Sequence, residues 1–172
     1  FGPEDSEPPS SVPEEKLENI QEFVKEEDYH KLLLILTELC DVVEIFNSSQ
    51  QDYPYYLKKT VPLYCKIISQ FIPVSFQSNS LEHKLRNITI EILNRSILTE
   101  NLEPYVVQIL ELFLNQVLSK DNEENAVIAI KYVTSLFKNY KALLINHVDQ
   151  FIKIIMTVYN NAPELVEKTF PM

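Results

Sequence analysis

The segment Ser80–Leu118 reads SLEHKLRNITIEILNRSILTENLEPYVVQILELFLNQVL, and it decides how the rest of the chain is interpreted. Two apolar stripes recur in it at spacings of three and four residues, which is typical of amphipathic helices that bury one face. The stripes are Leu81, Leu85, Ile88, Ile92, Leu93 and Ile97, then Val106, Ile109, Leu110, Phe113 and Val117. Because only a short polar link separates them, the segment predicts two antiparallel helices, Ser80–Ile97 and Leu102–Leu118.

Helix patterns of the same kind lie on both sides of this pair. The predicted helices are Tyr29–Phe46 and Asp52–Ile72 before it, and Asn122–Tyr140 and Asn146–Tyr159 after it. Equivalent points recur at roughly 40–45 residues, a period typical of stacked helix pairs. The sequence therefore predicts an all-α fold, a HEAT/armadillo-like α-solenoid of about three helix pairs with a preceding N-terminal helix. A closed bundle of six or seven helices is the alternative that periodicity alone leaves open.

Local signals support these helix boundaries. Asp52 is a predicted N-cap, followed by Pro54 in the first turn. Asp121 and Glu124 are spaced as a capping box at the start of a later helix. Pro62 falls inside the helix Asp52–Ile72, where its missing N–H predicts a kink.

The first 28 residues hold most of the charge of the chain. They contribute −8 to a net charge of −10, so the remaining body is nearly neutral. Residues 1–13, with four prolines, are predicted to be a disordered acidic tail or a cloning remnant. Residues 14–170 are predicted to be one helical-repeat domain.

Within that domain, Glu14–Lys25 is predicted to be the preceding helix, with the apolar stripe Leu17, Ile20, Phe23 and Val24. Two hypotheses account for its acidic, amphipathic character. The favoured one is a cap that covers the exposed end of the solenoid, because terminal repeats need a polar outer face. The other is an acidic-hydrophobic segment that folds onto the body and occupies a binding groove.

Glycine is almost absent, since Gly2 is the single glycine of the chain. Phosphate-binding loops and dinucleotide fingerprints depend on glycine, so these classes of site are not expected. The three histidines, His30, His83 and His147, fall on different predicted helices and are expected at surfaces or caps. We therefore predict no enzyme activity, no catalytic residues, no cofactor and no metal site.

The cysteines and the charge pattern restrict the partners. Cys40 and Cys65 are isolated, and are predicted to be small core hydrophobes in a reducing compartment. The sequence has no cluster of lysines and arginines that could bind the phosphate backbone of a nucleic acid, so direct nucleic-acid binding is not expected. No apolar run reaches about 18 residues, so no membrane span is expected either.

Two sets of side chains are candidates for contact with a protein partner. Lys84, Arg86 and Arg95 share one predicted helix, and are either a solvated face or a contact with an acidic partner or another repeat. On the same helix, Asn87 and Asn94 are either buried in bonds that fix repeat stacking or solvated.

In the second set, lysines are interleaved with tyrosines, a combination that can hold an acidic-hydrophobic peptide. The alternative is that Tyr132 packs in the core and the lysines are solvated. The members of this set are Lys131, Tyr132, Lys138, Tyr140 and Lys141.

Four short sequence motifs resemble those of a known family. They are KLRN (84–87), EILNR (91–95), NEEN (122–125) and LFK (136–138). The order and spacing of these motifs closely resemble the N-terminal region of the TRRAP family. The resemblance runs from about Leu17 to Phe170. That family comprises transformation/transcription domain-associated protein and its yeast counterpart.

The resemblance implies a non-catalytic scaffold. Members of the family are very large helical-repeat proteins with a distant pseudokinase domain, and are shared by SAGA and a second histone acetyltransferase complex. It implies nuclear localisation and three kinds of protein partner: acidic transcriptional activators, acetyltransferase-complex subunits and the following repeats of the same scaffold. A generic HEAT-repeat adaptor in trafficking or nuclear transport is the alternative, and it would show the same helix periodicity.

Overall fold

The structure, a computed structural model, describes residues 28–46, 50–71, 80–118 and 123–161. The predicted tail 1–13, the predicted helix Glu14–Lys25 and the capping residue Asp121 lie outside the described residues. Within them every regular element is helical, and none is a strand.

The described α-helices are α1 (Tyr29–Val42), α2 (Tyr53–Gln70), α3 (Leu81–Arg95), α4 (Glu103–Leu112), α5 (Glu123–Asn139), α6 (Lys141–Leu144) and α7 (Val148–Asn161). Short 3-10 turns extend α1, precede α4 and join α6 to α7, and they span Val43–Ile45, Glu100–Leu102 and Ile145–His147. A π-helical turn, Phe113–Val117, extends α4. The six long helices predicted from the sequence between Tyr29 and Tyr159 are thus confirmed, with small shifts at their ends.

The helices are arranged in two layers. In one layer α1 packs against α3 and α3 against α5, while in the other α2 packs against α4 and α4 against α6. Helix α2 also packs across the layers against α3. The pairs α1/α2, α3/α4 and α5/α7 therefore stack in sequence order, which is the predicted HEAT-like solenoid.

The core runs continuously between the two layers. Leu36 of α1, Ile68 of α2, Leu85 of α3, Ile109 of α4 and Val133 of α5 are fully buried. Each comes from the apolar stripe of its helix, so burial of these stripes supplies the main force that holds successive pairs together.

Two N-cap positions and one internal proline show how α2 and α3 are built. Asp52 occupies the N-cap position of α2, but its side chain makes no capping hydrogen bond. Ser80 does cap α3, because its hydroxyl accepts a hydrogen bond from the backbone N–H of His83 at 3.1 Å. Helix α2 runs through Pro62 without an assigned break. The predicted kink there stays a prediction.

The two cysteines are free thiols inside the core. Cys40 is 2% exposed and Cys65 is 6% exposed, which confirms that both are core residues. Burial raises the pKa of the Cys65 thiol to about 11, and it also raises the pKa of Cys40.

No helix in the described ranges combines the length and the apolarity that crossing a lipid bilayer requires.

Candidate partner-binding groove

An apolar groove of about 300 Å³ lies where the end of α5, the turn α6 and the start of α7 meet. We call it the Phe137 groove. Its lining consists of Thr134, Phe137, Lys138, Lys141, Ile145, Val148 and Phe151. The rings of Phe137 and Phe151 stack with their centroids 5.1 Å apart and a 29° angle between their planes. The stacked pair gives the groove a rigid aromatic wall.

The polar side chains of the groove are positively charged or neutral. Lys138 and Lys141 are exposed, and the lining includes no acidic residue. Ile145, from the turn before α7, is 65% exposed. The groove therefore presents an apolar side chain to solvent. Two lysines beside an apolar surface suit a ligand that carries both hydrophobic anchors and carboxylates.

The structure places the five residues of the lysine–tyrosine set in three different environments. Lys138 and Lys141 line the Phe137 groove, whereas Lys131 is exposed but lies outside its lining. Tyr132 is 1% exposed and Tyr140 is 6% exposed. The prediction that these tyrosines take part in a surface site is therefore wrong, and the alternative that Tyr132 packs in the core is confirmed.

The two tyrosines are buried for identifiable reasons. Tyr132 packs its ring against Phe113 with the centroids 5.0 Å apart. Tyr140 donates a hydrogen bond from its hydroxyl to the carbonyl oxygen of Thr99 at 2.6 Å, which ties the end of α5 to the loop before α4. The aromatic rings that accompany the lysines are instead Phe137 and Phe151. The spacing of Thr134, Phe137 and Lys138 on one face of α5 was the available signal for this groove.

Replacing Tyr132 with phenylalanine is expected to raise the free energy of unfolding by about 1 kcal/mol, because an unpaired buried polar group costs stability. Within the described residues, the buried Tyr132 hydroxyl has no hydrogen-bond partner. Urea unfolding followed by circular dichroism measures the change. The control is Tyr140→Phe, which removes a bonded hydroxyl and is expected to destabilise the chain. A Tyr132→Phe variant less stable than the parent would mean that the hydroxyl is satisfied in solution.

Arg86 is completely buried, so it is neither part of a solvated face nor a contact for an acidic partner. It contacts another repeat instead, which is the remaining alternative stated for this residue. Its Nη1 donates to the carbonyl oxygen of Ile68 near the end of α2, and its Nη2 donates to that of Gln116 at 2.9 Å. The guanidinium thus joins the C-terminal ends of α2 and α4, two helices in the same layer. At a helix C-terminus the last carbonyl groups lack intrahelical donors, and the helix dipole favours a cation.

The other candidates on α3 divide between surface and stacking roles. Lys84 and Arg95 are exposed, and Arg95 lies 4.0 Å from the carboxylate of Glu91. Asn87 donates from Nδ2 to Glu124 Oε1 at 3.1 Å and to Asn125 Oδ1 at 2.8 Å. Asn87 therefore links α3 to α5, in agreement with the alternative that its hydrogen bonds fix how the repeats stack. These bonds use side chains of the neighbouring repeat rather than its backbone.

Around Asn87 lies a second cleft of about 260 Å³, between α1, α3 and α5. Its lining residues are Leu33, Thr37, His83, Lys84, Asn87, Ile88 and Glu124. His83 is 6% exposed, so it is not a surface residue, although it lies in the capped first turn of α3. Lys84 and Glu124 place opposite charges in the same cleft, so it offers no single charge to a ligand.

The two remaining histidines are more accessible. His30 is exposed at the start of α1. His147 Nε2 lies 3.4 Å from Glu111 Oε2, and beside it Gln150 donates to Asn115 Oδ1 at 3.2 Å. The first contact attaches the 3-10 turn before α7 to α4, and the second attaches α7 to the π-helical turn that follows α4.

Comparison with known proteins gives a consistent set of relatives. The chain is 40% identical over 135 residues to the SAGA complex/NuA4 acetyltransferase complex subunit TRA1 of Saccharomyces cerevisiae. It is 33% identical over 140 residues to transcription-associated protein 1 of Dictyostelium discoideum. It is 25% identical over 138 residues to transformation/transcription domain-associated protein of Homo sapiens.

The matches cover 78%, 81% and 80% of the chain, respectively, but only 3–4% of the length of each relative. No protein-family model matches the chain. The likeness is shared with proteins from a yeast, an amoeba and an animal. We conclude that the chain belongs to the TRRAP/Tra1 family and corresponds to a small segment of its members.

Proposed function

We propose that this chain is a non-catalytic part of a nuclear transcription coactivator scaffold, and that its Phe137 groove binds acidic-hydrophobic segments of transcriptional activators. The observation that carries the proposal is the apolar groove with Lys138 and Lys141 in its lining. The Saccharomyces cerevisiae relative is named as a subunit of the SAGA and NuA4 acetyltransferase complexes, which supports this biological setting.

The groove suits an amphipathic ligand by its chemistry. An apolar anchor of the ligand enters between Phe137, Ile145 and Phe151, where burial of apolar area supplies most of the affinity. Carboxylates on either side of the anchor approach Lys138 and Lys141. Because these lysines are exposed, each ion pair contributes about 1 kcal/mol or less and is weakened by salt. The charges therefore favour acidic ligands more than they increase total affinity.

The double substitution Lys138→Glu and Lys141→Glu is expected to weaken binding of a labelled acidic activation-domain peptide by about tenfold or more, since attraction becomes repulsion at two positions. Fluorescence polarisation at two salt concentrations measures the affinity. Lys131→Glu is the matched control, because it reverses an exposed lysine of α5 outside the groove and should have little effect. Binding by the parent chain should be saturable and should weaken at high salt.

Three results would contradict the proposal. An equal loss of peptide affinity in the control and in the double variant would mean that binding depends only on net charge. Equal affinity for a peptide whose acids are replaced by neutral residues would favour the generic adaptor. Failure of the parent chain to bind, with intact helical circular dichroism, would assign the groove to contact with following repeats or other subunits.

A further inference from the structure

The apolar surface of α7 extends beyond the Phe137 groove. Val148 lines the groove, and Ile152 and Met156 follow it at intervals of four residues along the same helix. Ile152 is 52% exposed and Met156 is 55% exposed. Residues four apart are neighbours on a helix surface, so these three side chains form one row that starts in the groove and leads out of it. We call them the Met156 row.

Helix α7 is less covered than the long helices before it. Each of its side chains that the structure describes is half-buried or exposed, whereas α1 to α5 all contribute fully buried side chains. Ile155, which lies between the groove residue Phe151 and the Met156 row, is only half-buried. Together these apolar side chains span about 140° of the helix surface. An apolar sector of this width normally packs against a further element.

We infer, resting on the function proposed for the Phe137 groove, that its acidic-hydrophobic ligand binds as an amphipathic helix that lies along α7. One apolar anchor of the ligand occupies the groove, and another, two turns away, packs against Ile152 and Met156. Val148 and Met156 are separated by about 12 Å along the helix axis, at about 1.5 Å per residue. This distance matches a ligand helix with apolar residues at positions i, i+4 and i+7, the usual pattern of a helix bound in a groove.

The charges around this surface favour an acidic occupant. Among the charged residues of the groove lining and of α7, Lys138, Lys141 and Lys153 are basic and Asp149 alone is acidic. Lys153 is exposed on the polar side of α7, so lysines lie on both sides of the apolar surface. They attract carboxylates that flank the apolar anchors of a ligand helix. Two copies of this chain meeting on the same surface would instead bring their lysines together, which is unfavourable.

The experiment measures binding of the full chain to a labelled acidic peptide with leucines at positions i, i+4 and i+7, by fluorescence polarisation. The double substitution Ile152→Ala and Met156→Ala is expected to weaken binding about tenfold, because one anchor loses its apolar contacts. The two outer leucines of the peptide are also replaced with alanine in turn. The peptide that lacks the leucine facing the Met156 row should bind the parent chain and the double variant equally, since that contact is already absent.

Two further readouts accompany this measurement. The matched control is Leu34→Ala with Ile45→Ala, which truncates two exposed aliphatic side chains of α1 and the turn after it, and should leave the peptide affinity unchanged. Circular dichroism of the mixture should show more helical signal than the sum of the separate peptide and chain, because the peptide becomes helical when it binds.

Failure of this inference is distinguishable from failure of the function proposed for the groove. If Lys138→Glu with Lys141→Glu weakens binding but Ile152→Ala with Met156→Ala does not, the groove function stands and the ligand does not extend along α7. Binding without a gain of helical signal would overturn the helical conformation. If the parent chain binds none of the peptides, both proposals are wrong. If sedimentation shows a dimer that Ile152→Ala with Met156→Ala abolishes, a second copy is the occupant.

Discussion

Replacing Arg86 with methionine is expected to lower the free energy of unfolding by about 3 kcal/mol. Methionine keeps most of the aliphatic volume but removes both donors, and it leaves the carbonyl groups of Ile68 and Gln116 without the guanidinium. An unsatisfied buried acceptor costs about 1–3 kcal/mol. Part of that cost is offset because a buried charge no longer has to be desolvated. Urea unfolding monitored by circular dichroism measures the difference.

Arg95→Met is the matched control for this substitution. Arg95 lies on the same helix, is exposed and makes only a 4.0 Å ion pair with Glu91, so its loss should cost less than about 0.5 kcal/mol. Arg86→Lys should fall between the two, because a lysine retains the charge but not the planar fork that reaches two carbonyls. Equal stability of the Arg86→Met and Arg95→Met variants would contradict the proposed role of the guanidinium.

Raising the pH from 9 to 11 is expected to lower the free energy of unfolding by about 4 kcal/mol. Burial raises the pKa of Tyr56, Tyr64 and Tyr132 above the ordinary value of 10.0, so these phenols stay protonated in the folded chain. In the unfolded chain they ionise near pH 10. Their contribution is therefore fully present below that pH and is lost above it, at about 1.4 kcal/mol per tyrosine and pH unit.

Four further groups act in the same direction and add to the loss from the three tyrosines. Burial raises the pKa of Cys65 to about 11 and that of Tyr140 to about 12, and it also raises the pKa of Tyr53 and of Cys40. The measurement is a pH series of urea midpoints, with tyrosinate absorbance recorded beside the helical circular dichroism signal. Both signals should change together, and Tyr132→Phe should reduce the loss at pH 11. Ionisation of all tyrosines near pH 10 with the helices intact would show that the buried phenols are accessible to solvent.

The helical fold could be predicted because each long helix buries a stripe with regular spacing. The pairs from Tyr29 to Tyr159 follow directly from these stripes. The π-helical turn Phe113–Val117 and the single-turn helix Lys141–Leu144 could not be predicted, because no local pattern marks them. Both depend on how one helix pair meets the next, which is a property of tertiary packing.

The candidate site was predicted only in part. Lys138 and Lys141 were identified, but Phe151 comes from a different helix and reaches them only through the fold. The full burial of Arg86 was not predicted, because an arginine is rarely buried without a partner. Its position was nevertheless informative: it precedes Ile90 by four residues and Leu93 by seven, so it shares their buried face.

Arg86 and Asn87 are adjacent, yet they bond in opposite directions along the array. Arg86 holds the ends of α2 and α4 together, and Asn87 fastens α3 to the start of α5. One helical turn therefore sets the spacing of three successive pairs. Bending the array at this point would have to stretch both sets of bonds, so these side chains brace the three pairs against bending relative to one another.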